Sequence, residues 1–212
     1  MNQFSNAYKI KAEFISDVLE NKIKIFSNND VLIGQEVMFG KQKTYADLVV
    51  LTNNKTYAFE IKAHNDNFKR LDFQINNYKK IFDYIYVIVT ENHLEALKRL
   101  NYQNVGIITI SDNGFKFIKR GVVHKSFSKE DILETIPLSY LSKKYNFKNN
   151  TPASIVRTTL LQHSQKELKQ TLFGFLKYKI ENKYKNFLDE KGNAIQYEDI
   201  SLLSLINTKV LK

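Results

Sequence analysis

The stretch Tyr45-Ala46-Asp47-Leu48-Val49-Val50-Leu51-Thr52-Asn53-Asn54-Lys55-Thr56-Tyr57-Ala58-Phe59-Glu60-Ile61-Lys62 decides how this chain folds. Two runs rich in β-branched and aromatic residues are parted by Asn53-Asn54 alone, which predicts a hairpin with a two-residue turn. In that register Thr52 faces Lys55, and counting back from the turn puts Asp47 opposite Glu60. Cross-strand partners share a face, with Cβ atoms roughly 4.5–5.5 Å apart. A three-residue turn would slip the register and send Asp47 elsewhere. In the two-residue register two carboxylates repel each other among Leu48, Val49, Ala58, Phe59 and Ile61. Burying like charges is costly unless a cation neutralises them. Carboxylate oxygens suit Mg²⁺, with Mn²⁺ expected to substitute. Lys62 lies two residues past Glu60 and so shares its face. Its ammonium can there orient a metal-bound water or stabilise the hydroxide, and the trio fits metal-assisted hydrolysis of a phosphodiester. The alternative is an ordinary surface ion pair of Lys62 with either acid.

The flanking segments extend the reading. Ala7–Ile25 carries apolar residues at near-helical spacing, and Ser27–Asp30 ends that helix. Val31–Phe39 reads as a strand, and Gly40–Thr44 as a polar, basic turn. After the hairpin, Phe68–Phe82 has helical period, followed by a buried strand at Tyr84–Thr90. The predicted order to this point is α-β-β-β-α-β. A helix at Asn92–Leu100 and strands at Val105–Ile110 and Phe115–Ile118 complete the first part. Asp66, Arg70, Gln74 and Tyr78 are spaced by four, which predicts one polar stripe beside the apolar stripe of Leu71, Ile75 and Phe82. Such a stripe either flanks a site or is a solvated Asp–Arg pair. Arg70 is one of only 4 arginines, and its guanidinium suits a phosphate or a site carboxylate.

Asp47 followed by Glu60-Ile61-Lys62, in this element order, resembles the PD-(D/E)XK nuclease superfamily. Gln74-x-x-x-Tyr78 resembles the motif that follows the catalytic strand in its RecB-like members. Asp66-x-x-x-Arg70-Leu71-x-x-Gln74 resembles a small, mostly uncharacterised bacterial and phage family within it. The resemblance covers about residues 7–110 and departs from the pattern at one place, where Tyr45-Ala46 precedes Asp47 without proline. It implies an α/β, restriction-endonuclease-like core with a mixed central sheet flanked by helices. It implies that Asp47, Glu60 and the Ile61 carbonyl hold the metal and that Lys62 assists the attacking water. Gln74 would line the site, supported by Tyr78, Asp66 and Arg70. A further acid is common on the first helix of the superfamily. Glu13 and Glu20 are candidates, and Glu36, nearest the hairpin, ranks first. The implied activity is a Mg²⁺-dependent endonuclease acting on DNA in preference to RNA, in defence or phage biology. A catalytically silent nucleic-acid-binding or partner-binding module on the same fold is the alternative.

Composition bounds these readings. The chain has 212 residues, 43% hydrophobic and 25% charged, which excludes a disordered tail or a coiled-coil rod. With no cysteine, thiolate metal sites, disulfides and cysteine nucleophiles are excluded. The four histidines lack metal-ligand spacing, and no Walker-type loop or Gly-x-Ser-x-Gly elbow occurs. No apolar run reaches the ~20 residues of a membrane span and no signal pattern opens the chain, so a cytoplasmic location without membrane contact is expected. The net charge of +10 favours a polyanionic partner. Lys41, Lys43, His64, Lys69, Lys177 and Lys183 are the candidate nucleic-acid contacts. Lys177 to Lys185 interleaves lysines with Tyr178 and Tyr184, either to hold a backbone and stack on bases or to leave tyrosines in a core and lysines in water.

The character changes after His124, dividing the chain into a core at 1–125 and a helical region at 126–212. Ser128 is a predicted N-cap with Glu130 and Asp131 in the first turn. Helix then runs to about Leu188, with a break at Asn149–Pro152 and Gly174 inside it. Ala194–Lys212 is expected to be weakly helical. This region is expected to clamp nucleic acid, form a homodimer or dock a partner protein.

Overall fold

A computed structural model describes residues 6–26 and 30–206. The fold is mixed α/β: one six-stranded mixed sheet flanked by helices. Its elements begin α1 (Ala7–Leu19), β1 (Leu32–Phe39), β2 (Thr44–Thr52), β3 (Lys55–Lys62), α2 (Leu71–Tyr78) and β4 (Tyr84–Thr90). This is the α-β-β-β-α-β order expected above. A 3₁₀ turn leads into α3 (Leu94–Leu100), and β5 (Gly106–Ser111) and β6 (Gly114–Lys119) complete the sheet. The strands lie in sequence order. β1, β2 and β3 are antiparallel neighbours, β4 and β5 run parallel to β3, and β6 returns antiparallel.

The hairpin register is the one predicted. Thr52 pairs with Lys55, and the ladder runs without a slip to Leu48 and Phe59. Asn53 and Asn54 both take positive φ, 49° and 56°, the conformation demanded by the two-residue turn whose twist matches the strands. Buried Leu48, Val50 and Phe59 lie among the large apolar side chains, and each such burial contributes roughly 1.5–3 kcal/mol. α1 covers one face of the sheet, where the rings of Phe14 and Phe59 meet at 4.8 Å. α2 covers the other, with Tyr78 stacked edge-on to Phe39.

Residues 126–206 add α4 (Lys129–Thr135), α5 (Leu138–Lys144), α6 (Ala153–Leu160), α7 (Gln165–Glu190) and α8 (Tyr197–Leu202). The long α7 packs across β1 so closely that a Cβ at Gly34 would meet the Ile180 side chain at 2.9 Å. At the outer edge of β1, Gln35 N–H donates to the Leu203 carbonyl and Leu205 N–H donates to the Gln35 carbonyl. The segment around Ser204 thus runs parallel to β1 and covers its edge.

Several boundaries differ from those expected. α1 stops at Leu19, not Ile25, because Asn21 turns left-handed (φ 57°), and Ile23 and Phe26 reach the core from a loop. The helix expected over Phe68–Phe82 is only Leu71–Tyr78, flanked by turns. Ser128 does cap α4, accepting from the Asp131 N–H at 3.1 Å. The break near Pro152 is present, but Pro137 and Ser164 start helices of their own. α7 runs unbroken through Gly174. Ser27–Asn29, and the part of the expected C-terminal helix at 207–212, lie outside the described residues. Among the described residues no helix is long and apolar enough to cross a membrane.

Candidate functional site

The acid pair lies where β2 begins and β3 ends. Glu60 is 2% exposed, so its carboxylate stands or falls with its hydrogen bonds. It has three. Oε1 accepts from Lys62 Nζ at 2.8 Å and from Gln74 Nε2 at 2.6 Å. Oε2 accepts from the Tyr78 hydroxyl at 2.5 Å. Lys62 Nζ also donates to Gln74 Oε1 at 3.2 Å. Gln74 and Tyr78 project together because they are one helical turn apart on α2. Lys62 is itself buried, so the exposed surface pair considered as an alternative is not what forms.

Asp47 is half-buried, and its Oδ2 accepts from the Ile61 N–H at 2.8 Å. Its other oxygen accepts no hydrogen bond among the described residues. The β2–β3 ladder stops one pair short, at Leu48 and Phe59, and the Asp47 carboxylate takes up the backbone donor of β3 itself. Burial, reinforced by the charge on Glu60, pushes the Asp47 carboxyl up to about 7. Lys11, Lys62 and the Ile61 bond pull the other way without cancelling this. The Tyr78 hydroxyl is raised well above the usual tyrosine range by burial and by the two carboxylates. Among the described residues no ammonium bonds Asp47 directly, so a hard cation would relieve its repulsion with Glu60, and two carboxylates with the Ile61 carbonyl are donors of that kind. Among the described residues no third Asp, Glu or His joins them in a metal-binding group.

Glu36 does not complete such a trio. It lies opposite Asp47 in the β1–β2 register but has φ 51°, and its Oε2 accepts from Ser204 Oγ at 2.7 Å. This left-handed residue reverses the alternation of β1. Gln35 reaches Lys11 on the α1 face, whereas Phe39, four residues on, packs against Tyr78 on the α2 face. A non-glycine residue in this conformation costs of order 1–3 kcal/mol and tends to mark functional sites.

Asp66 and Arg70 are not on a stripe with Gln74, as was expected, because α2 begins only at Leu71. Asp66 instead accepts from the Ala63 N–H at 2.8 Å and fixes the turn just after Lys62, while Arg70 is exposed. Lys41, Lys43 and Lys69 are exposed in turns at the same end of the sheet as the acid pair. His64 is half-buried there, its carbonyl accepting from Asn92. The basic stripe of α7 does not form one surface. Lys177 faces the Asn53-Asn54 end of the sheet, and Lys183 donates to the Ser204 carbonyl at 2.5 Å. Tyr178 is exposed and Tyr184 is buried.

Lys11 escaped sequence reasoning. It is 5% exposed on α1, donates to Gln35 Oε1 at 3.2 Å, and its charge acts on Asp47. The one signal was its position, four and seven residues before buried Ile15 and Val18. Beside it, the Tyr8 hydroxyl is pushed up to about 12, mainly by its hydrogen bond to Tyr197 of α8.

Comparison with known proteins adds relatives to this geometry. A protein cII of Enterobacteria phage P4 is 25% identical over 187 residues, covering 83% of this chain and 70% of that protein. A solved structure of a protein of unknown function from Silicibacter pomeroyi aligns with 55% of this chain and 77% of its own. Its TM-score is 0.38 and its identity 12%. The family described as bacteriophage P4 protein cII matches residues 1–204, nearly the whole sequence, and the chain belongs to that family.

Proposed function

We propose that this protein is a metal-dependent nuclease with a restriction-endonuclease-like core, hydrolysing phosphodiester bonds of DNA in preference to RNA. One observation carries the reading. Glu60 and Lys62 are bonded to each other at the end of β3, with Asp47 held across from them by the Ile61 N–H. Gln74 and Tyr78 of the next helix both donate to Glu60, which supports the reading.

Asp47, Glu60 and the Ile61 carbonyl are the groups that would hold Mg²⁺ or Mn²⁺. Bound there, the cation would neutralise the pair and polarise a phosphodiester oxygen. The protein's own groups supply the rest. Gln74 and Tyr78 fix the Glu60 carboxylate by satisfying both of its oxygens. Lys62 holds an ammonium at the pair, where it stabilises negative charge developing on an attacking water. Lys11 adds a second buried cation on the Asp47 side. Lys41, Lys43 and Lys69 supply exposed positive charge around the same end of the sheet, suited to the flanking phosphates.

The test is incubation with single-stranded DNA, duplex DNA and RNA, each with Mg²⁺, Mn²⁺ or EDTA, beside Lys62→Ala and Glu60→Gln. Divalent-ion-dependent cleavage lost in both variants is expected. Cleavage retained by a folded Glu60→Gln protein would sink the assignment. A silent binding module has one observation in its favour: the Glu60 carboxylate is already occupied by three donors, and among the described residues no third acid joins the pair. Salt-dependent DNA binding without cleavage in any metal would select it.

A further inference from the structure

At the opposite end of the sheet lies a cavity of about 800 Å³. It is bounded by the start of β3, the start of β4, the loop after β6 and the first turns of α7. Thr56 and Glu60 lie four residues apart on β3, so strand rise alone separates this cavity from the acid pair by about 13 Å. Its volume falls in the range of small-molecule sites.

Its chemistry is one-sided. Lys55, Lys125 and Lys166 line it and are exposed, and none of them pairs with a carboxylate among the described residues. The one lining acid, Asp83, is already engaged at both oxygens. Its Oδ1 takes Lys169 Nζ at 2.5 Å, and its Oδ2 takes the Thr56 N–H and hydroxyl at 2.9 and 3.0 Å. The N-terminus of the 26-residue α7 opens onto the same space and adds its partial positive charge. Phe127 and Phe173 give the cavity apolar walls.

His124 is the second observation. It lines the cavity, is 5% exposed, and its Nε2 is buried without a hydrogen-bond partner among the described residues. Its backbone is pinned, the His124 N–H donating to the Asp83 carbonyl at 2.7 Å. Burial also lowers the His124 pKa, which favours the neutral ring. A neutral imidazole with an unused ring nitrogen can donate to a phosphate oxygen or accept from a ribose hydroxyl or a base amine. Buried polar groups without partners are rare, and one in a cavity wall calls for a partner such as an ordered water or a ligand.

We infer that this cavity is a second binding site, for a nucleoside phosphate. Lys55, Lys125, Lys166 and the start of α7 receive the phosphate, Phe127 and Phe173 flank the base, and His124 supplies a directional hydrogen bond. The phosphate ester can come from a free nucleotide or from a 5′-phosphorylated polynucleotide end.

Calorimetric titration of the full chain in EDTA tests this. The probes are AMP, ATP, adenosine, inorganic phosphate, and one oligonucleotide with and without a 5′-phosphate. Saturable binding of AMP or of the phosphorylated oligonucleotide is expected, with adenosine and inorganic phosphate each at least tenfold weaker. Lys125→Ala/Lys166→Ala changes two exposed side chains, so it should fold normally and weaken binding at least tenfold. His124→Phe should weaken it with the ring volume retained. Glu60→Gln should bind undiminished, which separates this site from the nuclease reading. Binding by AMP alone assigns the free nucleotide, and binding by the phosphorylated oligonucleotide alone assigns the strand end. No saturable binding of either, or binding unmoved by the double lysine variant, overturns the inference.

Discussion

Replacing Asp47 by Asn should make the metal-free protein more stable, and only at the upper end of the pH scale. The Asp47 carboxyl is pushed from an ordinary 3.8 up to about 7, first by burial and then by Glu60. For an acid whose folded pKa is raised, the cost of ionisation is absent at low pH, where the folded state stays protonated. The cost appears as pH rises past the unfolded value and is complete above about 7. Roughly three pKa steps at about 1.4 kcal/mol each set a ceiling of about 4 kcal/mol. Relaxation of the half-buried site lowers this, so we expect about 2–4 kcal/mol. The Asn carbonyl can still accept from the Ile61 N–H, so little else changes. Urea unfolding followed by circular dichroism, in EDTA, should give equal stabilities at pH 4. The curves should diverge from there and reach a plateau above pH 7. Mg²⁺ at pH 8 should raise the midpoint of the parent and leave that of Asp47→Asn in place, because only the parent gains a neutralised pair. A difference flat with pH, or an Asn variant less stable at pH 8, would refute the reasoning about the pair. A substitution that stabilises the fold and abolishes cleavage is the mark of a residue kept for chemistry.

Three further outcomes follow from geometry. Tyr78→Phe removes a donor from buried Glu60 and should cost about 2 kcal/mol in chemical denaturation, whereas Tyr178→Phe on the surface should cost nothing measurable. Gly106→Ala drives a Cβ into the Tyr86 ring and close to the Gly121 backbone, and should destabilise by at least ~3 kcal/mol, read as a lowered thermal midpoint. Lys183→Met removes the bond to the Ser204 carbonyl, so amide exchange at Gln35 and Leu205 should accelerate while β3 and β4 stay protected.

The hairpin and the order of the first six elements were legible in the sequence for a physical reason. Asn53-Asn54 admits one tight turn, and a one-residue slip would have moved Asp47 off the face it shares with Glu60. The same register brings Asp47 and Glu60 to one face of the hairpin. The polar stripe was half legible. Periodicity correctly joined Gln74 to Tyr78 but extended the helix over Asp66, whose carboxylate prefers to cap the turn after Lys62. Glu36 could be ranked by proximity, yet nothing local announces a left-handed residue inside a strand. Its partner, Ser204, lies 168 residues away. Lys11 was hidden because lysine on a helix is usually solvated, and only its tertiary setting shows it buried. The cavity at His124 is built from four separate segments and has no sequence signature.

The cover on the edge of β1 has a consequence for synthesis. Gln35 donates to the Ile200 carbonyl across 165 residues of chain. At ribosomal speeds of roughly 5–20 residues per second, on the order of 10–30 s pass between making the strand and making its cover. During that interval the nascent sheet presents an unpaired row of backbone donors and acceptors, the template on which strands of neighbouring chains assemble. Yield of intact protein should therefore depend on how fast the ribosome reaches Ser204, and on how well the cell's chaperones shield β1 until it does.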